Sequence, residues 1–268
     1  MFRVPALCAA LALLASFALA AESPNLSAAD IVQKNVVARG GLNAWRAVQT
    51  LSWSGKMEAG GNNQRHFKAP GMPVPPPPKD AAAQVQLPFV IEMQRGRKSR
   101  LEIEFDGQTA VQVYDGTQGW KLRPFLNRRD VEPFTPAELD AAAMQADLDG
   151  VLVDYAAKGT QVEVEGIEKV EGRDAYKLKL TLKNAHVVHE WIDAQSFLDV
   201  KVEGVPRRLD GKEHPVFIFL RDYRDVAGLQ IPHLLETVVE GVSRTEKIWI
   251  EKAVVNPPLP QSRFTKPT

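Results

Sequence analysis

The sequence predicts a mainly β protein, an antiparallel sheet of about ten strands curved into a half-barrel, with two or three helices over its apolar face. Three observations predict it. Apolar and charged residues alternate with period two along most of the chain, turn residues separate the alternating runs, and only a few windows carry helical spacing.

The first segment is expected to lie outside the fold. Arg3 gives a positive start, Val4 to Ala20 is an uncharged apolar run, and Ala18-Leu19-Ala20 has the small-x-small form of a signal-peptidase site. Residues 1–20 read as a cleaved signal peptide and residues 21–268 as one exported, periplasmic domain. Cys8, the one cysteine of the 268-residue chain, leaves with the signal. The mature chain then has no disulfide, thiolate metal site or cysteine nucleophile. No second stretch is long and apolar enough to span a membrane as a helix.

A helix follows. Ser27 caps it, Asp30 lies in its first turn, Ile31, Val32 and Val36 share one side, and Gly40-Gly41 stops it. Leu42 to Trp45 begins a short second turn. Alternation then takes over. Leu87, Phe89, Ile91 and Met93 form one row; Leu101, Ile103 and Phe105 another; Tyr176, Leu178, Leu180 and Leu182 a third; Leu198, Val200 and Val202 a fourth. Between their members stand mostly charged residues, so each strand has one apolar and one wet face. Asp106-Gly107, Asp115-Gly116, Gly172-Arg173-Asp174 and Asp210-Gly211 supply the turns. One helical window interrupts: Thr135 caps it, Pro136 is its first residue and Glu138 completes a capping box. Residues 69–80 hold Pro70, Pro73 and Pro75 to Pro78 and read as an exposed, extended loop, a stiff spacer or a partner-docking segment.

A sheet this wide tends to curl, and so few helices leave an apolar hollow between sheet and cover. With 33 basic and 33 acidic residues, the chain lacks the basic excess of a nucleic-acid binder. His186-Val187-Val188-His189-Glu190 is not the H-E-x-x-H metal motif, because residues three apart on a strand point to opposite faces. No G-x-S-x-G elbow or phosphate loop occurs. No cofactor, metal or catalytic residue is expected, and the chain is read as a non-enzyme.

The ordered pieces Ala38-Arg39-Gly40-Gly41-Leu42-Asn43-Ala44-Trp45, Leu51-Ser52-Trp53-Ser54-Gly55, Tyr114-Asp115-Gly116-Thr117-Gln118-Gly119-Trp120, Leu148-Asp149-Gly150, Gly172-Arg173-Asp174-Ala175-Tyr176 and Trp191-Ile192-Asp193 resemble those of exported outer-membrane lipoprotein-sorting proteins of the LolA/LolB-like superfamily. The resemblance covers nearly all of the mature chain. It implies a half-barrel closed by helices, acyl chains of lipids or lipoproteins as ligands, an envelope membrane protein as donor or acceptor, and a monomer. The proline-rich insert departs from that pattern.

The residues expected to line the hollow are the apolar rows Phe89, Ile91, Leu101, Ile103, Phe105, Val111, Val113, Trp120, Leu178 and Leu180. The same pattern serves a solid core, since core and cavity wall both demand it. The alanine-rich segment Thr135–Asp149, with Gly150 as hinge, reads as a lid. Two other readings stay open: a non-catalytic envelope assembly protein with a filled core, and a hydrolase of unknown substrate built on carboxylates that the sequence does not pair.

Overall fold

The computed structural model describes residues 26–59, 84–124, 128–209 and 211–268. The signal segment 1–20 and the proline-rich stretch 69–80 lie outside the described residues. The chain opens with helices α1 (Ala28–Ala38) and α2 (Leu42–Ala47). Six strands follow: β1 (Thr50–Ala59), β2 (Val85–Gln94), β3 (Lys98–Phe105), β4 (Gln108–Tyr114), β5 (Gly119–Arg123) and β6 (Arg128–Pro133). Helix α3 (Pro136–Gln145) then leads into β7 (Gln161–Val170), β8 (Arg173–Thr181), β9 (Val187–Asp193), β10 (Asp199–Leu209), β11 (Lys212–Val226), β12 (Leu229–Val239) and β13 (Glu246–Val255).

Among the described residues, 13 strands form one antiparallel sheet in the order β6-β5-β4-β3-β2-β1-β13-β12-β11-β10-β9-β8-β7. Its ends, β6 and β7, do not pair with each other, so the curved sheet stays open. Every neighbouring pair is consecutive in sequence except β1 with β13. The strand count exceeds the expected ten. The additional strands are those where alternation is weak: β6 reads Arg-Arg-Asp-Val-Glu-Pro, and β11 runs Val216-Phe217-Ile218-Phe219-Leu220 with both faces apolar.

The helix signals hold atom by atom. The Ser27 hydroxyl accepts from Asp30 N at 3.2 Å, and Asp30 Oδ2 accepts from Ser27 N at 3.1 Å. Thr135 and Glu138 make the same reciprocal pair for α3, with Pro136 in its first turn. After α1 the chain turns at Gly40, whose φ of 118° favours glycine and whose missing Cβ leaves room for the Gly228 carbonyl.

Cross-strand partners share a face. The register runs Ile103–Phe89–Gly55–Ile250 and Leu101–Ile91–Trp53–Ala253 across β3, β2, β1 and β13. That face is the concave one. Its core joins Ile31, Val32, Val36 and Trp45 of α1 and α2 to Leu51, Met93, Tyr176, Leu178, Leu180, Ile192, Leu229 and Ile231. Leu148, Leu152 and Val153 close it from the segment after α3. On the convex face, the C-terminal segment lies over β3. There Arg263 reaches Glu92 at 2.6 Å and Glu102 at 3.1 Å, and Phe264 is buried.

Gly55 sits at a bulge in the β1–β13 pairing, and a Cβ there would collide with the Trp249 carbonyl oxygen. Gly55→Ala is expected to cost about 2 kcal/mol or more. A thermal melt checks this, with a fall of about 4 °C or more expected.

Candidate functional site

The concave face has two unlike ends. Under α1 and α2 it is a solid core. Beyond that, large apolar side chains remain half-exposed: Trp53, Met57 and Leu87 on β1 and β2, Ile91, Leu101 and Ile103 beside them, and Ile218, Leu220, Leu235 and Ile248 on the other arm. The register unites the two arms, because Leu220 faces Leu235, Leu235 faces Ile248, and Ile248 faces Met57. The result is a continuous apolar trough along the inside of the sheet.

Helix α3 rests against β4 and β5 on the concave side. Its Glu138 pairs with the buried Lys121 ammonium, and Phe134 packs its ring on Gly119. None of its own residues is buried. Leu139, Ala142, Ala143 and Met144 stay half-exposed on a helix that has only small contacts to hold it.

The segment after α3 is held firmly. Ala146, Leu148, Leu152 and Val153 are buried. Arg95 donates to the Val48 carbonyl at 2.8 Å, the Trp45 carbonyl at 2.7 Å and Asp149 at 2.8 Å. Lys158 binds Asp149 at 2.7 Å, Asp147 at 2.9 Å and the Gly150 carbonyl at 2.6 Å. Burial opposes charge on Asp149, but hydrogen bonds from Lys158 and Arg95 outweigh it and hold its pKa below the usual range. Burial dominates at Asp147 and pushes its pKa up. The loosely held element is therefore Pro136–Gln145 alone. The expected hinge at Gly150 lies inside the fixed part, and the change from loose to fixed falls at Ala146.

One acid interrupts the apolar wall. Glu190 stands on the concave face between Leu178 and Val202. Burial and then the neighbouring Asp199 push its pKa up to about 8, against the pull of Arg39. Arg39 lies 3.7 Å from Asp199 and stacks over the Trp45 ring, and the Tyr223 hydroxyl donates to the Asp199 carbonyl at 2.9 Å.

The ten residues expected in the hollow divide three ways. Phe89, Ile91, Leu101, Ile103 and Phe105 share the concave face of β2 and β3, with Phe105 at an open strand end. Leu178 and Leu180 are concave too, but sit fully buried in the core below α1. Val111, Val113 and Trp120 lie on the convex face, in register with Glu102, Arg100 and each other. This corrects the expectation that all ten line one hollow. In β4 both faces carry buried side chains, Ala110 and Tyr114 inward and Val111 and Val113 outward, and alternation then loses its meaning. Trp53, Met57, Leu87, Ile218, Leu220, Leu235 and Ile248 were not among the ten, although Leu87 already stood in the apolar row of β2. The alternation Leu51-Trp53 was a usable signal, whereas β11 offers none because Phe217 and Phe219 are apolar on the other side.

The remaining features lie elsewhere. His189 is on the convex face beside Glu203 at 2.5 Å, with Glu165 at 3.5 Å. There Lys201 lies 3.9 Å from the Trp191 ring and 4.1 Å from that of Phe217, sheltering both. Two clefts of about 490 and 510 Å³ flank β7 at the sheet's edge. The first mixes Leu26, Ile167, Tyr176 and Phe197 with charged side chains, of which Lys169 and Arg173 are paired with Asp174 and Asp193; the second is lined mainly by Glu165, Glu168 and Lys177. Among the described residues no group of His, Cys, Asp and Glu has the arrangement of a metal site, and no helix is long and apolar enough to cross a membrane.

An open, curved antiparallel sheet with helices on its concave side and apolar side chains left half-exposed beyond them defines a class of half-barrel proteins. No protein-family profile and no curated protein sequence matches the chain. Solved structures do. A LolA superfamily protein from Nitrosomonas europaea superposes with a TM-score of 0.55 at 14% identity, over 90% of this chain and 98% of that one. A DUF1329 family protein from Desulfovibrio piger gives 0.55 at 12% identity, over 89% and 97%. An outer membrane lipoprotein-sorting protein domain from Vibrio parahaemolyticus gives 0.53 at 13% identity, over 88% and 95%. The chain has the LolA-like fold.

Amides of α3 are expected to exchange with solvent faster than those of residues 148–155, which hydrogen-exchange mass spectrometry resolves. Uniform protection across both would remove α3 as a moving part. Glu190 supplies a second expectation. Its folded pKa is raised, so its stabilising effect is full below the unfolded value and is lost as pH rises through about 8. The wild-type melting temperature should fall between about pH 5 and pH 8 more than that of Glu190→Gln, as melts across that range would show.

Proposed function

We propose that this protein is a periplasmic carrier, exported through a cleaved signal peptide, that shields acyl chains of a lipid or lipoprotein in its concave trough. The carrying observation is the row of half-exposed apolar side chains, Trp53 to Ile103 on one arm and Ile218 to Ile248 on the other, on the concave face that α3 also occupies without burying any of its residues. A finished core would have sealed this face. Each acyl methylene taken from water contributes about 0.8 kcal/mol, and a long chain recovers the cost of leaving the face unfilled. Binding of this kind needs area and shape, with no catalytic group.

The LolA-like fold supports the reading, as does the printed description of the Vibrio parahaemolyticus neighbour as a lipoprotein-sorting domain. The even charge balance gives nucleic acid no purchase. In this reading the protein works as a monomer between a membrane donor and an acceptor. The loosely held α3 moves aside for the acyl chain, while Arg95 and Lys158 keep the adjoining segment fixed.

Native mass spectrometry of protein purified from its own envelope, before and after lipid extraction, tests the reading. An extractable acylated mass is the expected result; a bare chain that also refuses added acyl lipids overturns it. Ile103→Glu, on the trough wall, is expected to weaken acyl binding at least about tenfold, since it places a charge in an apolar contact. Trp120→Ala, on the convex face, should stay within about threefold of wild type in the same titration, because it removes no trough surface.

A further inference from the structure

Most charged groups beside the concave wall are paired. Lys121 meets Glu138, Arg95 and Lys158 meet Asp149, and Arg39 lies 3.7 Å from Asp199. Glu190 departs from this. It stands in the cross-strand row Leu178–Glu190–Val202–Ile218, which places it on the same face as the trough. Leu178 is fully buried, whereas Val202 and Ile218 are half-exposed, so Glu190 marks the line where core gives way to trough. Glu190 is itself half-exposed, and its carboxyl oxygens are not among those sealed from solvent. Among the described residues the carboxyl has no hydrogen-bond or ion-pair partner; it feels Asp199 of β10 and Arg39 after α1 only through their charge. Tyr223 of β11 is near as well, but its hydroxyl donates to the Asp199 carbonyl.

An ionised acid on an apolar wall carries a desolvation cost that a counter-ion offsets. The cation near Glu190 is Arg39, and Asp199 and the Trp45 ring already hold it. Two acids thus share one base, and this border of the trough is one positive charge short. Burial, then the Asp199 charge, resist ionisation of Glu190 for that reason. A ligand whose cation reaches this point supplies the missing charge. Its chains meanwhile have the apolar wall of Ile218, Leu220, Leu235, Ile248 and Met57 to lie on. We propose that Glu190 binds a primary ammonium carried close to the acyl chains of the ligand. Such an ammonium has two sources, the ethanolamine headgroup of a phospholipid and the free α-amine of an acylated peptide. The inference rests on the acyl-carrier reading and adds a charge criterion to it.

The test compares matched ligands on the full mature chain at pH 7. Lysophosphatidylethanolamine is titrated beside the analogue with a hydroxyl in place of its amine. An S-diacylglyceryl peptide with a free α-amine is titrated beside the same peptide with hydrogen there. Wild type is expected to prefer the ammonium member of at least one pair about tenfold, which corresponds to 1.4 kcal/mol. Preference within the lipid pair assigns the headgroup, and preference within the peptide pair assigns the α-amine. Glu190→Gln, nearly the same in shape and with its fold checked by circular dichroism, is expected to bring the preferred pair within about twofold while still binding the uncharged member. A second readout needs no variant. Glu190 must ionise to hold a cation, so the wild-type preference should widen from pH 6 to pH 7, where both amines stay mostly protonated. Equal binding within both pairs, a preference for the uncharged members, a preference that narrows over that pH range, or one that survives in Glu190→Gln overturns the inference and leaves the carrier reading standing. Failure of all four ligands to bind overturns both.

Discussion

The pairing of β1 with β13 is the constraint on which the structure depends. The other neighbouring pairs are consecutive in sequence. This one joins residues about 200 positions apart, and it fuses two meanders, β1–β6 and β7–β13, into a single curved sheet. Loop closure over such a span costs conformational entropy that local hairpins avoid. The seam meets that cost with ladder hydrogen bonds and with Leu51, Trp53, Ile250 and Val255 on its concave side. Its bulge at Gly55 lets the two meanders meet without collision.

From the seam the concave face extends both ways, and its two ends are treated differently. At one end α1, α2 and the segment from Ala146 to Tyr155 seal it. Arg95 ties α2 to that segment with one guanidinium, and Lys158 gathers two carboxylates and a carbonyl that would otherwise repel. At the other end α3 lies on the wall through one ion pair and one aromatic contact. Packing is therefore tight where the fold must hold and thin where the trough lies open. Sealing only one end limits the destabilisation that an exposed apolar wall imposes.

The convex face follows a different rule. No helix covers it. Its apolar residues are sheltered by the C-terminal segment over β3 and by long cations over aromatic rings, Lys201 on Trp191 and Phe217 and Arg221 on Phe219. Aliphatic stems bury apolar surface while their charged heads stay in water. The outer sheet thus meets solvent without another layer, and both faces of β4 and β11 carry apolar side chains. Glu190 is the counterpart inside, an acid on an apolar wall, where burial favours its neutral form.

The sequence by itself determined the local events. Ser27 with Asp30 and Thr135 with Glu138 start helices, because a capping box is satisfied within four residues. Alternation in β2, β3 and β8 set which side chains share a face, because the strand period is two. The LolA-like half-barrel was legible from the order of these pieces. Tertiary structure alone decided which face of β4 looks inward, since Val111 and Val113 are as apolar as a trough wall but stand in register with Glu102 and Arg100 on the convex side. It decided that Leu178 and Leu180 are core while Leu101 and Ile103 line open trough, since identical patterns differ only in what lies above them. It placed the loose-to-fixed boundary at Ala146, which depends on Arg95 and Lys158 reaching the adjoining segment from elsewhere. Hydrogen bonds and alternation within a few residues are written in the local sequence; coverage and burial depend on residues that only folding brings together.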